Sequence, residues 1–423
     1  MKNKTLILIL LMLPVFALNA QRTWTLQECI DTVLENNRNI KQRELVREQN
    51  KILYSQAKLD LLPNISAMAE HSWSFGRSKN NNDNFQDKNG TNTGFSLSSG
   101  LILFDGLKMK YNIDARALEL KNSEAELEKM RQDMIMNVST VFLQVLLNKE
   151  LLNNANELLE LTNQNVAQKQ LLVENGKLAQ GELFELQAQQ SREEMNILEA
   201  QNNLTYSLLE LAQILELDSF ENIDVVVPND LPERELQLLD PETIYRQALT
   251  HRPEVQGAEY QLQSSQTNVN IARSSYFPSL SLNASMGQNF YDWQKAPFSS
   301  GMGLRLSIPI FDKMATANQV KQAKIGVESS RIALENAKLE MRKSIQQMCA
   351  NASAAQARWT AAIKAEQASA EAFRYANQKY ENSRATVYEL YQAKNNLSRS
   401  QSELTQAKYE YAFRLKILEL YTK

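Results

Sequence analysis

The sequence predicts a mixed α and β fold of two tandem repeats, each with two transmembrane β-strands and a long α-helical coiled-coil hairpin. Three observations predict it. The chain of 423 residues repeats its own motifs in order, its uninterrupted helical stretches are too long for globular domains, and it holds short alternating segments of membrane-strand length.

The repetition comes first because it organises everything else. Val33–Ile40 (VLENNRNI) resembles residues 248–255 (ALTHRPEV). LLPNISAMA at 61–69 matches YFPSLSLNA at 276–284, Phe104-Asp105 matches Phe311-Asp312, and VENGKLAQGEL at 173–183 matches YENSRATVYEL at 380–390. The offset falls from 215 residues at Pro63 and Pro278 to 207 at Phe104 and Phe311, so the first repeat has the longer strand-region loop. Pro228, Pro232 and Pro241 interrupt the pattern between the halves. The expected organisation is a signal segment at 1–20, a first repeat at 21–215, a linker at 216–241 and a second repeat at 242–423. Each repeat reads as a helix, two strands, a very long helix, a tight turn and a returning helix.

The first 20 residues have the composition of a secretory signal. Lys2 and Lys4 precede the apolar run Leu6–Leu13, and small residues follow up to Ala20. Beyond them no segment reaches the roughly 18 uncharged apolar residues of a spanning helix, so an exported chain of this kind enters a membrane only as a barrel.

Between Gly106 and Gly176, and from 327 to the end, there is neither glycine nor proline. At about 1.5 Å per residue the first stretch alone spans about 100 Å as one helix. Apolar and small residues step through both halves by threes and fours: Val138, Val141 and Val145; Ile197, Ala200 and Leu204; Ile345, Met348, Ala352, Ala355 and Trp359; Leu390, Ala393, Leu397, Ser400, Leu404, Ala407 and Tyr411. A sustained seven-residue seam of this type means supercoiled helix pairs.

The strand segments follow from alternation. In 279–290 Leu280, Leu282, Ala284 and Met286 alternate with Ser281, Asn283, Ser285 and Gly287; in 301–310 Met302, Leu304, Leu306, Ile308 and Ile310 alternate with Gly301, Gly303, Arg305 and Ser307. The first half has Ile65, Ala67 and Ala69, then Phe95, Leu97, Leu101 and Leu103. Segments of about ten residues with one apolar face fit tilted barrel strands, and they fit a soluble sheet with one buried face equally well. Trp73, Phe75, Tyr291, Trp293 and Phe298 gather at the hairpin ends, where an aromatic belt sits at a membrane surface. Four strands cannot close a barrel, so several copies must share one.

Other functions are poorly represented. The net charge is −3, with no basic block to mark a nucleic-acid surface. Cys29 and Cys349 lie in different halves, and so do the only histidines, His71 and His251, so metal-ligand spacing is missing and no cofactor is expected. No grouping of residues has the form of a catalytic site. A periplasmic adaptor would have a single hairpin flanked by compact β domains. A structural coiled-coil rod would need neither alternating strands nor aromatic ends.

The strand starts Leu-Pro-Asn-Ile (62–65) and Phe-Pro-Ser-Leu (277–280), the strand ends Leu-Phe-Asp-Gly (103–106) and Ile-Phe-Asp-Lys (310–313), and the two turn motifs together give the chain its resemblance to the TolC-like outer-membrane efflux proteins. The resemblance covers the mature chain in the family's order. It implies a homotrimer with a twelve-stranded barrel on an α-helical periplasmic tunnel, in the outer membrane of a Gram-negative bacterium. It further implies a place in tripartite efflux or type I secretion. Its implied partners are outer-membrane lipid, a periplasmic adaptor docking at the helix tips, and through it an inner-membrane resistance-nodulation-division pump or ABC transporter.

The expected docking tips are Gly176, Lys177, Ser383 and Arg384. Both turns place an acid six residues past the turn residue, Glu182 and Glu389, where copies around an axis would form negative rings. By resemblance, Glu389 matches one of two acidic positions lining a closed aperture, with Gln392 departing at the other. Tyr380 and Glu182 match positions whose contacts hold it shut. The family's arginine partner falls at Ala385, with Arg384 one residue earlier.

Overall fold

The computed structural model describes residues 22–79, 85–87, 90–219, 223–227, 240–382 and 384–422. The signal segment, most of the inter-repeat linker and Ser383 lie outside the described residues. In chain order the elements are β1 (Arg22–Trp24), α1 (Leu26–Asn36), α2 (Arg38–Leu59), β2 (Asn64–Ser74), β3 (Arg77–Lys79), β4 (Phe85–Asp87), β5 (Gly90–Phe104), α3 (Lys108–Glu174) and α4 (Gln180–Ile214). They continue with β6 (Ile223–Val225), α5 (Pro241–His251), α6 (Pro253–Ser274), β7 (Ser279–Tyr291), β8 (Gln294–Lys295), β9 (Ser299–Ser307), α7 (Ala315–Glu381) and α8 (Val387–Thr422). The long helices α3 and α7 have 67 residues each, so the duplication is kept at the level of elements. Among the described residues, no helix is long and apolar enough to cross a membrane.

The order agrees with the sequence reading apart from the short strands β1, β3, β4, β6 and β8, which it did not include, and three differences in the longer elements. Each repeat opens with two helices instead of one. Asn37 has extended backbone and its Oδ1 accepts from the N–H groups of Asn39 (2.9 Å) and Ile40 (3.3 Å), capping α2 as a separate helix. In the second repeat Pro253 opens α6 and forces Arg252 into the extended region. The last strand ends at Ser307, leaving Ile308 and Ile310 outside it, and β5 begins at Gly90, ahead of Phe95, the first residue expected of that strand.

The described chain divides into two compact units, one of Met1–Lys41, Met130–Ala248 and Lys343–Lys423, the other of Gln42–Lys129 and Leu249–Arg342. Each draws on both repeats. The first unit is a helical bundle. Its main core joins Trp24, Cys29 and Val33 to Val138, Phe142, Val145 and Leu211, and the short parallel pair β1–β6 closes it through Ile223 and Val225. A second cluster packs Ala355 and Trp359 against Ala407 and Tyr411, with the two rings stacked at 5.3 Å. Of these buried positions, Val138, Val145, Ala355, Trp359, Ala407 and Tyr411 lie on the three-and-four seams of the sequence, where small side chains let the helices approach.

The second unit holds the sheet. Its four long strands are antiparallel in the order β2-β5-β7-β9, with β8 also on β7. The β5–β7 pairing joins the two repeats. Above the sheet, α3 runs between α2 and α6: Arg43 bridges to Glu126 at 2.9 Å, and Gly257 lies close to Ala125. Helix α7 pairs with α6 through Lys338 and Glu259 at 3.4 Å.

Candidate functional site

The strand register sorts most of the sheet into two chemically opposite faces, with Met68 and Ile102 as apolar exceptions on the polar one. Leu101, Leu282 and Leu304 stand in one row across three strands, and Leu280 faces Leu306. The next residues along belong to the other face: Asn64, Gly100, Asn283 and Gly303 form one row, and Ser66, Ser98 and Ser285 another, with Ser66 and Ser98 hydroxyls 2.8 Å apart. Leu304 and Leu306 are thus opposite in face to Arg305 and Ser307, as the alternation predicts. A bulge between Ile102 and Phe104 breaks the expected alternation at Leu103 and brings Phe104 opposite Leu280. Leu304, Leu306, Met302 and Met286 are all exposed in the single chain.

Trp73, Phe75, Tyr291, Trp293 and Phe298 are exposed at the hairpin end of the sheet. There Trp73 meets His71 edge-on at 4.3 Å, and the His71 ring lies hydrogen-bonded to Thr93. A second exposed set, Phe104, Tyr276, Phe277 and Phe311, marks the helical end of the same strands, and the sequence reading missed it. Two belts bracketing one apolar band are what two lipid–water interfaces require.

Each strand pair hands over to its long helix through a two-residue left-handed turn. Gly106 and Leu107 have φ of 70° and 68°; Lys313 and Met314 have 55° and 65°. The turn lets the preceding aspartate reach forward. Asp105 Oδ2 accepts from the Met109 N–H at 3.0 Å, and Asp312 Oδ2 from the Thr316 N–H at 2.7 Å. The Thr316 hydroxyl, and after it the Thr316 N–H, hold the Asp312 carboxyl below the usual carboxylate range. Glycine is required at 106, since a Cβ there would sit 2.6 Å from the Ser274 carbonyl. Lys313 occupies the same conformation with a side chain.

At the far ends of the long helices the turns also correspond. Helix α3 closes with a Schellman motif, the Lys177 N–H reaching the Leu172 carbonyl at 2.8 Å and the Gly176 N–H the Val173 carbonyl at 2.9 Å, with Gly176 at φ 70°. In α7 the Arg384 N–H makes the equivalent bond to Lys379 at 2.8 Å. The following helices differ. At α8 the Glu389 carboxylate accepts from the Thr386 N–H at 2.9 Å while Thr386 Oγ1 accepts from the Glu389 N–H at 3.2 Å, a reciprocal capping box. The corresponding residues of α4 are Ala179 and Glu182, and Ala179 has no side chain with which to cap. Tyr380 lies under Lys169, whose Nζ is 4.0 Å from the ring centre. Among the described residues no hydrogen bond or ion pair joins Glu182, Tyr380, Arg384 and Glu389 to one another.

Above this tip lies a buried polar knot. Glu193 of α4 and Lys394 of α8 are each 2% exposed, and their charges stand 3.6 Å apart. The Thr162 hydroxyl of α3 donates to Glu193 and accepts from Lys394, and Lys394 also reaches the Leu158 carbonyl at 3.3 Å. Gln189 donates to Glu193 at 2.9 Å and is itself held by Arg192. Burial lowers the Lys394 ammonium from its ordinary value, against the attraction of Glu193. One turn away Tyr391 is pushed well above the usual phenol range by burial, with Tyr380, Glu193 and Glu185 adding to it.

The sequence matches the family profile described as outer membrane efflux protein over residues 29–216 and 244–421. The chain belongs to the outer membrane efflux protein family. Relatives of this family include the cation efflux system protein CusC of Escherichia coli O157:H7, 25% identical over 304 residues, and the solvent efflux pump outer membrane protein SrpC of Pseudomonas putida, 26% identical over 301. Each alignment covers 67% of this chain and 60% of the relative, so the chain spans about three fifths of the curated relatives it matches. Among solved structures it is similar to the outer membrane protein VceC of Vibrio cholerae, at a TM-score of 0.78 and 17% identity, covering 94% of both chains. The Campylobacter jejuni CmeC outer membrane channel gives 0.79 at 19% identity, covering 94% of this chain and 85% of that one.

Within this family fold, sequence reading found the long strands and the turns and missed the buried knot. A signal for it existed. Thr162 and Glu193 fall on the same three-and-four steps as Leu159 and Ile197, so they are polar residues at seam positions. Lys394 gives no such signal, because it lies beside the seam residue Ala393.

Proposed function

We propose that the chain is the outer-membrane duct of a tripartite efflux or type I secretion assembly, with three copies closing a twelve-stranded barrel and a helical tunnel. The observation that carries this is the pair of open edges on the second unit. Among the described residues β2 and β9 each pair on one side only, and in lipid an unpaired edge is too costly to persist. The helices continuing from those edges are α2 and α7. Leu45, Ile52 and Leu59 of α2 and Ile325, Ile332 and Leu339 of α7 are exposed at seven-residue intervals. These are coiled-coil rows without a partner in the single chain, and the edge of a second copy supplies one. Native mass spectrometry in detergent is expected to give three copies; a folded monomer overturns the shared barrel.

The apolar face then meets lipid and the serine, asparagine and glycine face lines the bore. The adaptor docks around Gly176, Lys177, Ser383 and Arg384 and links the duct to an inner-membrane pump. Tyr380, Glu182, Arg384 and Glu389 form the gate. In this arrangement Glu182, which no described residue binds, is the acid available to the lumen, whereas Glu389 also caps α8. Replacing Tyr380 with Phe together with Glu182→Gln is expected to raise single-channel conductance in planar bilayers. Conductance equal to the parent's moves the gate elsewhere.

A further inference from the structure

The wall of the sheet is almost uncharged. Its four long strands contain two ionised side chains, Glu70 and Arg305, and the register puts both on the polar face. Arg305 lies opposite Ser281 at the helical end. Glu70 lies opposite Gly94, and Gly94 opposite Asn289, near the hairpin end. From Ser281 to Asn289 a strand rises about 26 Å, so the two charges cannot neutralise each other.

Among the described residues of the same chain nothing neutralises Arg305 either. Its same-face neighbours along β9 are Gly303 and Ser307, and across on β7 Ser281. A Cβ at Gly303 would meet no atom within 4 Å, and the Arg305 side chain is exposed. Among the described residues no acid forms an ion pair with it. The small neighbours leave the guanidinium free to extend, with the fork that suits carboxylate and phosphate oxygens.

We propose that Arg305 sets the charge preference of the barrel at its tunnel end. This rests on the duct reading: copies of Arg305 form a cationic collar that retards bare cations and favours organic anions. The Debye length is about 10 Å at 0.1 M salt, so a collar of this kind still acts on an ion in the middle of a narrow bore. Glu70 is the opposite collar at the outer mouth, and cargo leaving the duct passes the two in sequence.

Two measurements test it. The first is the reversal potential across a potassium chloride gradient in planar bilayers. Arg305→Gln is expected to raise the potassium-to-chloride permeability ratio by about threefold at 0.1 M salt, Arg305→Glu by more, and Glu70→Gln to lower it. Arg305→Lys should keep the parent value, and a shift there would overturn the assignment to charge. The second is local and does not depend on whether the helical end is open. Ser307→Cys, on the same face as Arg305, is treated with anionic and cationic methanethiosulfonates; Cys29 and Cys349 are buried. The anionic reagent should react faster, and adding Arg305→Gln should lower that rate ratio by about threefold. An unchanged reversal potential and rate ratio in a conducting Arg305→Gln protein overturn the collar alone. A parent that forms no channel overturns the duct and the collar together.

Discussion

Replacing Glu193 with leucine leaves the Lys394 ammonium 2% exposed with no counter-charge. Its remaining partners are neutral, the Thr162 hydroxyl and the Leu158 carbonyl. Breaking a buried pair in this way costs about 3–5 kcal/mol, whereas exchanging both members for apolar residues is close to neutral. The knot should follow that pattern, since for Lys394 burial outweighs the attraction of Glu193. Thr162 is not stranded by the double change, because its hydroxyl lies 3.1 Å from the Leu158 carbonyl. Circular dichroism at 222 nm during heating should show Glu193→Leu and Lys394→Met each melting on the order of 10 °C below the parent. The Glu193→Leu/Lys394→Met double variant should return to within about 3 °C of it. There is also a pH signature. A base lowered by burial binds fewer protons folded than unfolded, so stability is lost as pH falls through its folded value and regained towards about 10.4. Glu193→Leu should therefore recover relative to the parent between pH 7 and 10. A double variant as unstable as the singles, or no recovery at high pH, refutes this account.

The left-handed turns give the second prediction. Lys313→Gly should stabilise the protein by up to about 1 kcal/mol, while Gly106→Ala should destabilise it by about 2 kcal/mol or more through the clash with Ser274, read as shifts in the melting midpoint. Asp105→Ala and Asp312→Ala should each cost about 1 kcal/mol by removing the helix cap, read in the same way; unchanged midpoints would show that these carboxylates do not cap. For the faces, cysteines at 305 and 307 should react with an aqueous thiol reagent and those at 304 and 306 should resist it; the reverse pattern would place the apolar row against water.

How much of this was legible in the sequence depends on whether neighbours in the chain decide it. The rows of Leu280, Leu282 and Ala284 were legible because side-chain alternation along a strand is a local property. The turn at Gly176 was legible because glycine favours a left-handed turn and because its flanking motif recurs around Ser383, with serine in the glycine's place. The bulge at Ile102 was not, since it arises where β5 must match β7, and nothing in Ser-Gly-Leu-Ile-Leu-Phe announces that. The parallel pair β1–β6 was also missed: Ile223 and Val225 lie in the segment read as a linker, and the partner strand is 201 residues away. At the tip, the acids at 182 and 389 were found from spacing alone, but spacing could not show that Thr386 engages one of them while Ala179 leaves the other alone.

That last difference reaches beyond a single helix start. The two repeats supply two hairpin ends per chain, alike in backbone and unlike in the residue that begins the returning helix. A threefold assembly of such chains carries six ends of two alternating kinds, so its apparent sixfold rotation is false at the level of side chains. A partner built as a ring of six identical subunits would find the same contour at every step and a different chemistry at every second one. Such a partner must either bind through the shared backbone shape or seat its subunits in two inequivalent poses, three of each.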